Sequence, residues 1–428
     1  MITPMLTDFY ELTMLQSALE DGTADKPAVF ELFTRKLPTG RRYGVIAGTE
    51  RAIKSIQDFR YTTQHISWLR EHTELKENTL EYLANYRFTG TVTGLREGDL
   101  YFPNTPILTV EGTFGECVLL ETLLLSIFNY DSAVASSASR MVQAAQQKDY
   151  NIPLIEMGSR RTNELSAPAA ARAAYLAGFT ATSNTAAGFL YNIPVTGTSA
   201  HAYTLAHSDE TIAFKYQINA LGNNTTLLVD TYDIEQGINN ALTAGGQQLG
   251  GIRIDSGDLY EETLQARQQL DAAGNTETKI ILSSDIDEFV IQELIERNTP
   301  VDGLGVGTRV VTGSGHPTAG MVYKLVEIEK EGVMTPVAKK SDNKASLGGK
   351  KTVYRNPKQQ IEYIVLGTGV PSAEMKKRTV TFIDTGHVVY LPTLEETRSF
   401  HTRVMSVLAP EQKSIIAGSP AYFSTVIQ

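Results

Sequence analysis

Between about residues 150 and 310, short apolar runs rich in β-branched residues alternate with longer stretches of helical pattern. Each run ends in small or polar residues. This repeated order of strand, turn and helix is typical of a parallel sheet. The predicted strands are PLIEM (153–157), GFTAT (178–182), IPVTG (193–197), TLLVD (226–230), GGIRI (250–254), KIILS (279–283) and DGLGV (302–306). Seven parallel strands predict an irregular α/β barrel, complete or incomplete. A doubly wound sheet is the alternative, but these strands lack the GxGxxG turn of a dinucleotide site.

Helices are predicted between these strands, and aspartates stand where several of them begin. A carboxylate at such a position accepts hydrogen bonds from the first free amides of the helix. The predicted helix starts are Asp233 before Ile234, Asp258 before the run to Leu270, Asp285 before Glu288–Ile295, and Ser166 before an Ala-rich helix to Ala177. A long apolar helix is expected over about 116–147, with an interruption near 129–132.

Both ends of the chain have a different pattern, in which alternating apolar runs are separated by Gly, Pro or Asn. The predicted strands there are 28–37, 87–95, 106–112, 320–328, 351–356, 361–366 and 379–390. We therefore expect two domains. Residues 1–115 and 320–428 would form a β-rich domain built from both chain ends, and residues 116–319 the α/β barrel.

Composition narrows the class of protein. The 428 residues include 38 Lys and Arg against 48 Asp and Glu, a formal net charge of −10. An acidic chain offers no electrostatic footprint for nucleic acid or for an anionic membrane surface. The one cysteine, Cys117, lies in an apolar run and is predicted to be a core residue. A chain with one cysteine can form no intrachain disulfide, which suits a reducing compartment. The N-terminus resembles no leader and no apolar stretch approaches the roughly 20 residues that span a bilayer, so we expect a cytoplasmic protein.

The candidate chemistry lies at the carboxyl ends of the predicted strands, where the loops of a parallel barrel point at a common centre. The residues found there combine guanidinium groups, carboxylates, a histidine and a glycine-rich turn. They are Arg160, Arg161, Ser183, Asn184, Thr198–His201, Asp230, Tyr232, Arg253, Asp255, Asp258, Ser284, Asp285, Gly305, Gly307 and Thr308. This set is expected for a phosphorylated sugar and an anionic partner.

Each motif also has a plain structural interpretation. GLGVGT (303–308) could hold a phosphate on backbone amides or only make a tight turn. Arg253 and Asp255 could pair with each other, although an Arg inside an apolar strand is rarely free of a partner or ligand. The strand-end aspartates could bind a cation or sugar hydroxyls, or cap helices. His201 follows a Gly-Thr-Ser turn and could be an acid, a base or a phosphate acceptor, and the sequence has no HExxH-type metal ligand set.

Several collinear motifs give the chain a specific resemblance over most of its length. They are TDFYELTM (7–14), FELFTRKLP (30–38), VEGTFGECVLLETLLLSIFNYDS (110–132), EMGSRR (156–161), ARAAYLAGFTATSN (171–184), IPVTGTSAH (193–201), VDTYD (229–233), GGIRIDSGDL (250–259), SSDID (283–287), GVGT (305–308) and VYKLV (322–326). In these motifs the chain resembles the nicotinate phosphoribosyltransferases. The resemblance implies a type II phosphoribosyltransferase fold, an irregular α/β barrel with an N-terminal β domain, and a homodimer with active sites at the subunit interface.

The resemblance also implies a reaction and roles for residues. Nicotinate and 5-phosphoribosyl 1-pyrophosphate would give nicotinate mononucleotide and pyrophosphate, with coupled ATP hydrolysis and with Mg²⁺ assisting the pyrophosphate. His201 matches the histidine that ATP phosphorylates, and we expect Asp230 and Asp255 to be catalytic with it. The substrate-binding positions implied are Tyr10, supplied across the dimer, with Arg160, Arg161, Thr198, Arg253, Gly307 and Thr308. No residues are assigned to a metal held by the protein alone.

One departure concerns the base pocket, where Ser199 replaces the bulkier apolar residues of the family. It is not the Asp with which the related nicotinamide enzyme receives an amide, and the cationic Arg253 favours a carboxylate substrate. The related quinolinate enzyme uses no phosphohistidine, so His201 argues against it. The alternatives that stay open are a nicotinamide phosphoribosyltransferase and a catalytically silent, metabolite-binding barrel protein.

Overall fold

The computed structural model describes residues 3–147, 150–339, 347–367 and 375–427. The helices are α1 Phe9–Glu20, α2 Thr49–Gln57, α3 Thr63–His72, α4 Glu77–Asn85, α5 Phe114–Val118, α6 Glu121–Ala145, α7 Ala167–Ala177, α8 Thr185–Tyr191, α9 His201–Leu205, α10 Glu210–Leu221, α11 Ile234–Gly245, α12 Leu259–Ala272, α13 Glu288–Glu296, α14 Thr308–Val311 and α15 Leu394–Ser406. The strands are β1 Pro27–Thr34, β2 Gly44–Val45, β3 Thr91–Leu95, β4 Leu100–Tyr101, β5 Leu108–Thr113, β6 Leu154–Glu156, β7 Ala181–Thr182, β8 Thr226–Leu228, β9 Gly251–Ile254, β10 Lys279–Ser284, β11 Gly303–Val306, β12 Met321–Lys330, β13 Val333–Pro336, β14 Lys351–Asn356, β15 Ile361–Leu366, β16 Lys376–Lys377, β17 Thr379–Asp384, β18 His387–Val388 and β19 Phe423–Ile427.

The chain divides into two compact units. The first comprises Met1–Ala133 and Thr318–Gln428, and the second comprises Val134–Pro317. The N-terminal division therefore falls inside α6, whereas the sequence-based boundary lay at 115/116. The physical reason is packing, because the apolar side chains from Cys117 to Phe128 belong to the same buried core as Leu12, Phe30 and Val110.

The first unit contains a seven-stranded antiparallel sheet contributed by both chain ends and a four-stranded sheet from the C-terminal segment, in which β15 and β19 are parallel. Its seven-stranded sheet has the order β13-β12-β1-β5-β3-β17-β18, and a four-stranded sheet has the order β16-β14-β15-β19. Strand β1 pairs with β12 near the other end of the chain, with Leu32 opposite Tyr323. The predicted strand 379–390 is two strands, because Thr385 and Gly386 turn the backbone at positive φ between β17 and β18.

The second unit contains the predicted parallel sheet, in the order β7-β6-β11-β10-β9-β8. Pairing of β11 with β6 brings the last strand beside the first, which is barrel closure. The ladder is open between β7 and β8. The predicted strand 193–197 makes only one bridge, Thr182 to Val195, since Pro194 has no amide N–H to donate to a ladder. The mixed α/β fold with an irregular, incomplete barrel and separate β-rich sheets is thus confirmed.

Helix starts mostly follow the prediction. The side chains of Asp233 and Asp258 accept amide hydrogen bonds at the starts of α11 and α12. Helix α13 is capped by Asp287 instead of Asp285, because only Asp287 lies directly before Glu288. Ser166 precedes α7 without a side-chain capping bond.

The long helix is interrupted at Leu119 and Leu120, between α5 and α6, instead of near 129–132. The polar residues at the predicted break form tertiary contacts instead: Asn129 accepts the Met321 amide at 2.8 Å and donates to its carbonyl. By length and composition the helical stretch Phe114–Ala145 could cross a membrane, which corrects the expectation that no such stretch exists, and 67% of its most apolar window is buried inside the protein.

Candidate active site

A cleft of about 450 Å³ opens at the carboxyl ends of the parallel strands of the second unit. Residues that follow β6, β9, β10 and β11 converge there, as the topology of a parallel barrel requires. The lining residues are Met157, Arg160, Arg161, Arg253, Asp255, Ser283, Ser284, Asp285, Gly305, Gly307 and Thr308. The structure therefore brings together nine of the strand-end candidates: Ser284, Asp285 and Gly305, and the six with an implied role, Arg160, Arg161, Arg253, Asp255, Gly307 and Thr308.

Arg160 and Arg161 lie in a single 3₁₀ turn, Ser159–Arg161, directly after β6. Both side chains are exposed and both line the cleft. Within the described ranges neither guanidinium donates a hydrogen bond to the protein. The turn is shaped from below by the buried Glu156, whose carboxylate accepts the Gly158 amide and the Thr182 hydroxyl. Burial raises the pKa of Glu156, and these two hydrogen bonds oppose the rise.

Arg253 and Asp255 lie on one face of the chain at the end of β9 and form the pair that spacing allowed. The Arg253 Nη2 is 3.1 Å from Asp255 Oδ1, so the cation is not without a carboxylate neighbour. Ser283 on the adjacent β10 accepts a hydrogen bond from Arg253 Nε at 2.7 Å and donates one to Asp255 Oδ1. The three side chains form one hydrogen-bonded ring at the cleft wall.

Asp230 follows β8 and connects this ring to His201. Its Oδ2 accepts hydrogen bonds from the Asp255 amide at 2.9 Å and from the Ser256 hydroxyl at 2.7 Å. The His201 Nε2 is 3.8 Å from Asp230 Oδ1, and the Asp230 side chain is 1% exposed while that of His201 is 40% exposed. In the part of the chain that the structure describes, Oδ1 has no hydrogen-bond partner. A buried carboxylate oxygen without a donor is costly, so this atom is available to the imidazole or to a ligand.

His201 begins α9, and its Nδ1 lies 3.2 Å from the Thr231 hydroxyl. The ring is therefore held between Thr231 and Asp230 and keeps an open face. His207, six residues later, contacts the Tyr203 carbonyl instead. The two histidines of this segment thus differ in their surroundings, as their separation predicts.

The end of β11 supplies the glycine-rich wall. A Cβ on Gly305 would lie 2.6 Å from the Met157 sulfur and 3.2 Å from the Ser283 Cβ, so glycine lets these two side chains approach the strand closely. Gly307 directly precedes α14, and Thr308 is its first residue. Opposite them, Asp285 pairs with Arg309 at 3.0 Å, and both side chains are substantially exposed. The backbone at this wall is accessible to an anionic ligand.

Four residues with a predicted role are not among those that line the cleft: His201 and Asp230, described above, and Thr198 and Tyr10. Thr198 is exposed in the segment before α9, and its neighbour Ser199 donates a hydrogen bond to Gln217 at 3.0 Å. Tyr10 belongs to the first unit, where it lies on α1 and is half exposed. Burial of its hydroxyl, with Glu121 and Glu11 nearby, raises the pKa of Tyr10 to about 12.

Ser283, Glu156 and Arg309 are site residues that sequence reasoning missed. A signal for Ser283 existed, because side chains of a strand alternate between faces. In the parallel register Ile281 lies opposite Arg253, so Ser283 two residues later occupies the same face. The partners of Glu156 and Arg309 are set by tertiary contacts that have no periodic signal.

Among the described residues no group of three or more His, Cys, Asp or Glu side chains is arranged to hold a metal ion. Asp230, Asp255 and Asp285 each already engage a neighbouring donor. A metal would therefore need further ligands from a substrate.

The chain is similar to known proteins over most of its length. The family model of the nicotinate phosphoribosyltransferase N-terminal domain matches residues 5–129, and that of the nicotinate phosphoribosyltransferase family matches residues 152–364. The chain is 48% identical over 431 residues to nicotinate phosphoribosyltransferase pncB1 of Mycobacterium tuberculosis, covering 97% of this chain and 94% of the relative. It is 40% identical to the nicotinate phosphoribosyltransferase of Bacillus subtilis, covering 84% and 75%. The crystal structure of human nicotinic acid phosphoribosyltransferase is similar with a TM-score of 0.85 at 25% identity, covering 98% and 97%.

Proposed function

The chain belongs to the nicotinate phosphoribosyltransferase family, and we propose that it couples the reaction of that family to ATP through His201. It joins nicotinate to 5-phosphoribosyl 1-pyrophosphate and forms nicotinate mononucleotide and pyrophosphate, a step of NAD biosynthesis. The single observation that carries the proposed site is the cleft that gathers Arg160, Arg161 and Arg253 with a glycine-rich turn at the strand ends.

The phosphates are proposed to lie along Arg160, Arg161 and the Gly307–Thr308 backbone. The two guanidinium groups are free of protein partners in the described chain and can bind phosphate oxygens with two parallel hydrogen bonds. Displacement at the sugar C1 passes through an oxocarbenium-like state, so positive charge develops on the ribose while pyrophosphate leaves with negative charge. Asp255 also lines the cleft, where its carboxylate can stabilise the positive sugar, and Asp230 accepts the Asp255 amide beside it.

Nicotinate is proposed to place its carboxylate on Arg253. At neutral pH the substrate is an anion, whereas nicotinamide is neutral and makes no charge-assisted pair with a guanidinium. The 14% exposed side chain of Arg253 is largely removed from water, which strengthens such a pair. The same reasoning disfavours nicotinamide as the preferred substrate.

His201 is proposed to accept the γ-phosphoryl group of ATP, with ADP leaving, and water then releases inorganic phosphate from the phosphohistidine. The partly exposed ring between Thr231 and the buried Asp230 supports this role, because a neighbouring carboxylate orients an imidazole and stabilises its cationic form. The N–P bond forms at one ring nitrogen, so Thr231 or Asp230 would hold the ring through the other nitrogen while the first reacts.

Mg²⁺ fits this site only with the help of a substrate. Magnesium is commonly held by one or two carboxylates together with substrate phosphates, and it neutralises the charge that develops on the pyrophosphate. Asp285 at the cleft wall and the unpartnered Oδ1 of Asp230 are the residues that could contribute oxygen ligands.

A homodimer with Tyr10 supplied to the partner's site is proposed as the working form. The second unit exposes large apolar side chains, with Leu165 at 81%, Phe189 at 89% and Leu190 at 58%. Exposed apolar surface of this kind marks interaction sites more often than free surface. A cytoplasmic setting is proposed from the single buried Cys117 and the acidic balance.

The test is a mononucleotide-formation assay with nicotinate, nicotinamide and quinolinate, each with and without ATP, on wild type, His201→Ala and the matched control His207→Ala. We expect nicotinate to be preferred and ATP to stimulate wild type and the control. His201→Ala should lose the stimulation and the acid-labile phosphate on the protein.

Full ATP stimulation and acid-labile phosphate in His201→Ala would refute the phosphohistidine. A preference for nicotinamide would refute the carboxylate assignment. If none of the three substrates gave a product, a metabolite-binding barrel protein would be favoured over the enzyme.

A further inference from the structure

Ser283 is the buried side chain of the cleft that the reaction does not directly use. It is 4% exposed, lies near the end of β10, and its hydroxyl faces the neighbouring strand β9. The hydroxyl acts as both an acceptor and a donor of hydrogen bonds: it accepts from Arg253 Nε at 2.7 Å and donates to Asp255 Oδ1. A hydroxyl placed in this way fixes two charged groups relative to each other.

The geometry of a guanidinium makes this contact consequential. A guanidinium presents its donors in a rigid planar fork, and a planar acceptor can bind either along the Nε and Nη2 edge or along the Nη1 and Nη2 end. Ser283 and Asp255 occupy the Nε and Nη2 edge of Arg253. Its Nη1 donates no hydrogen bond to the protein within the described residues. The end of the fork is therefore the part left for a ligand.

We propose that Ser283 is a positioning residue for substrate selection, which holds Arg253 so that the end of its guanidinium receives the carboxylate of nicotinate. This inference rests on the proposed role of Arg253 and deepens it. Without the hydroxyl, Nε loses its acceptor, Asp255 loses a donor, and the guanidinium is no longer fixed in one orientation relative to Asp255. The carboxylate would then meet a misaligned partner, while binding of the phosphates at Arg160 and Arg161 would be unaffected.

Ser283→Ala is the direct test, because it removes only the hydroxyl. The KM for nicotinate should rise roughly tenfold, the scale of one hydrogen bond to a charged group. The KM for 5-phosphoribosyl 1-pyrophosphate should change by less than about twofold, since the phosphates are proposed to lie on Arg160 and Arg161 and not on Arg253. The KM for nicotinamide should also stay unchanged, because a neutral amide does not use the charge. A fall in kcat shared by both bases would report Asp255, which also loses a donor.

Ser283→Thr is the conservative rescue. It keeps the hydroxyl that accepts from Arg253 and donates to Asp255, and it adds one methyl group. This variant should restore the nicotinate KM to near the wild-type value. Thr278→Val is the matched control, since Thr278 is a buried hydroxyl at the opposite end of β10 that donates to the Leu249 carbonyl. Its loss should leave both KM values unchanged.

Arg253→Ala measured in parallel separates the two levels of inference. If Arg253→Ala raises the nicotinate KM while Ser283→Ala leaves it unchanged, Ser283 does not position Arg253 and the inference fails alone. If Ser283→Ala raises the KM values of both substrates equally, its role is merely structural and the inference also fails. If Arg253→Ala itself leaves the nicotinate KM unchanged, the proposed carboxylate site is wrong.

Discussion

Charged side chains are arranged in opposite ways in the two units of the chain. In the first unit, the buried Arg355 donates to Asp99 at 2.8 Å, to Glu362 at 3.0 Å and to the Leu100 carbonyl at 2.9 Å. Arg378 takes the other oxygen of Asp99, and Thr105 donates to Glu362. Although burial disfavours its charge, Arg355 and Arg378 keep the pKa of Asp99 below its usual value. Each charged group of this cluster is paired with a group of opposite charge within the protein.

In the second unit, the charges around the cleft are left incomplete. Arg160 and Arg161 have no protein partner in the described chain, Arg253 uses only one edge of its fork, and Asp230 has a buried oxygen without a donor. Completed charges hold strands together, whereas incomplete ones retain the capacity to bind. The difference separates structural from functional residues more clearly than the residue types do, since both regions contain Arg and Asp side chains with hydroxyl donors beside them.

Arg355→Ala is the substitution for which we expect the largest effect. It leaves Asp99 and Glu362 buried without their shared cation, and removing one partner of a buried ion pair costs about 3–5 kcal/mol. The free energy of unfolding should fall by that amount in urea titrations followed by the fluorescence of the one tryptophan, Trp68, which lies in the same unit. Arg161→Ala serves as the control from the cleft and should change the same quantity by less than about 0.5 kcal/mol. Equal losses in the two variants would remove the distinction between completed and incomplete charges.

For the cluster around Arg355, the strands could be predicted from the sequence but the ion pairs between them could not. The strands β14 and β15 were predicted with their observed bounds, because alternation and turn residues are local signals. The pairing of Arg355 with Asp99 joins residues 256 positions apart, and no local pattern carries that information. Without the register of distant strands, charged residues of a structural cluster and of a cleft look alike in the sequence.

For the cleft the sequence was more informative, because parallel strands place their carboxyl ends at one edge of the sheet. This rule alone brings Arg160, Arg253 and Thr308 to one place, and the structure agrees. It could not predict that Ser283 closes the Arg253 and Asp255 pair, since that contact depends on side-chain direction across two strands. Nor could it predict the helix interruption at Leu119, where tertiary packing decides.

An effect of intermediate size on the free energy of unfolding is expected for His401, and it depends on pH. This side chain is buried on α15 with its Nδ1 2.9 Å from the Gly98 carbonyl, and Asp99 and Arg398 are the charged groups near it. Burial lowers the pKa of His401 to about 4, below the value of about 6.5 for an unfolded chain. The folded state therefore favours the neutral ring, and its stabilising contribution is complete above pH 6.5 and is lost as pH falls toward 4.

Between these limits the free energy of unfolding should fall by about 1.4 kcal/mol per pH unit because of this group. His401→Asn retains an amide donor for Gly98 but does not titrate, so its unfolding profile between pH 6.5 and 4.5 should be shallower than that of wild type. Parallel profiles would show that the imidazole is not responsible for the acid sensitivity of the first unit.

The smallest effect on the free energy of unfolding is expected for Asp258. This residue tests, within the second unit, the comparison between charged groups that have protein partners and those that do not. Asp258 belongs to the same strand-end group of carboxylates as Asp230 and Asp255, but its oxygen accepts the amides of Tyr260 and Glu261 at the start of α12. Its bonding capacity is used by a helix cap, and removal of a capping side chain costs about 1 kcal/mol. Asp258→Ala should lower the free energy of unfolding by that amount and leave kcat/KM for nicotinate unchanged, whereas Asp258→Asn should keep most of the stability because an amide oxygen also caps. A fall in kcat/KM for Asp258→Asn at unchanged stability would mean that the charge of Asp258 acts on the substrate, and that a satisfied hydrogen-bond partner does not by itself mark a residue as structural.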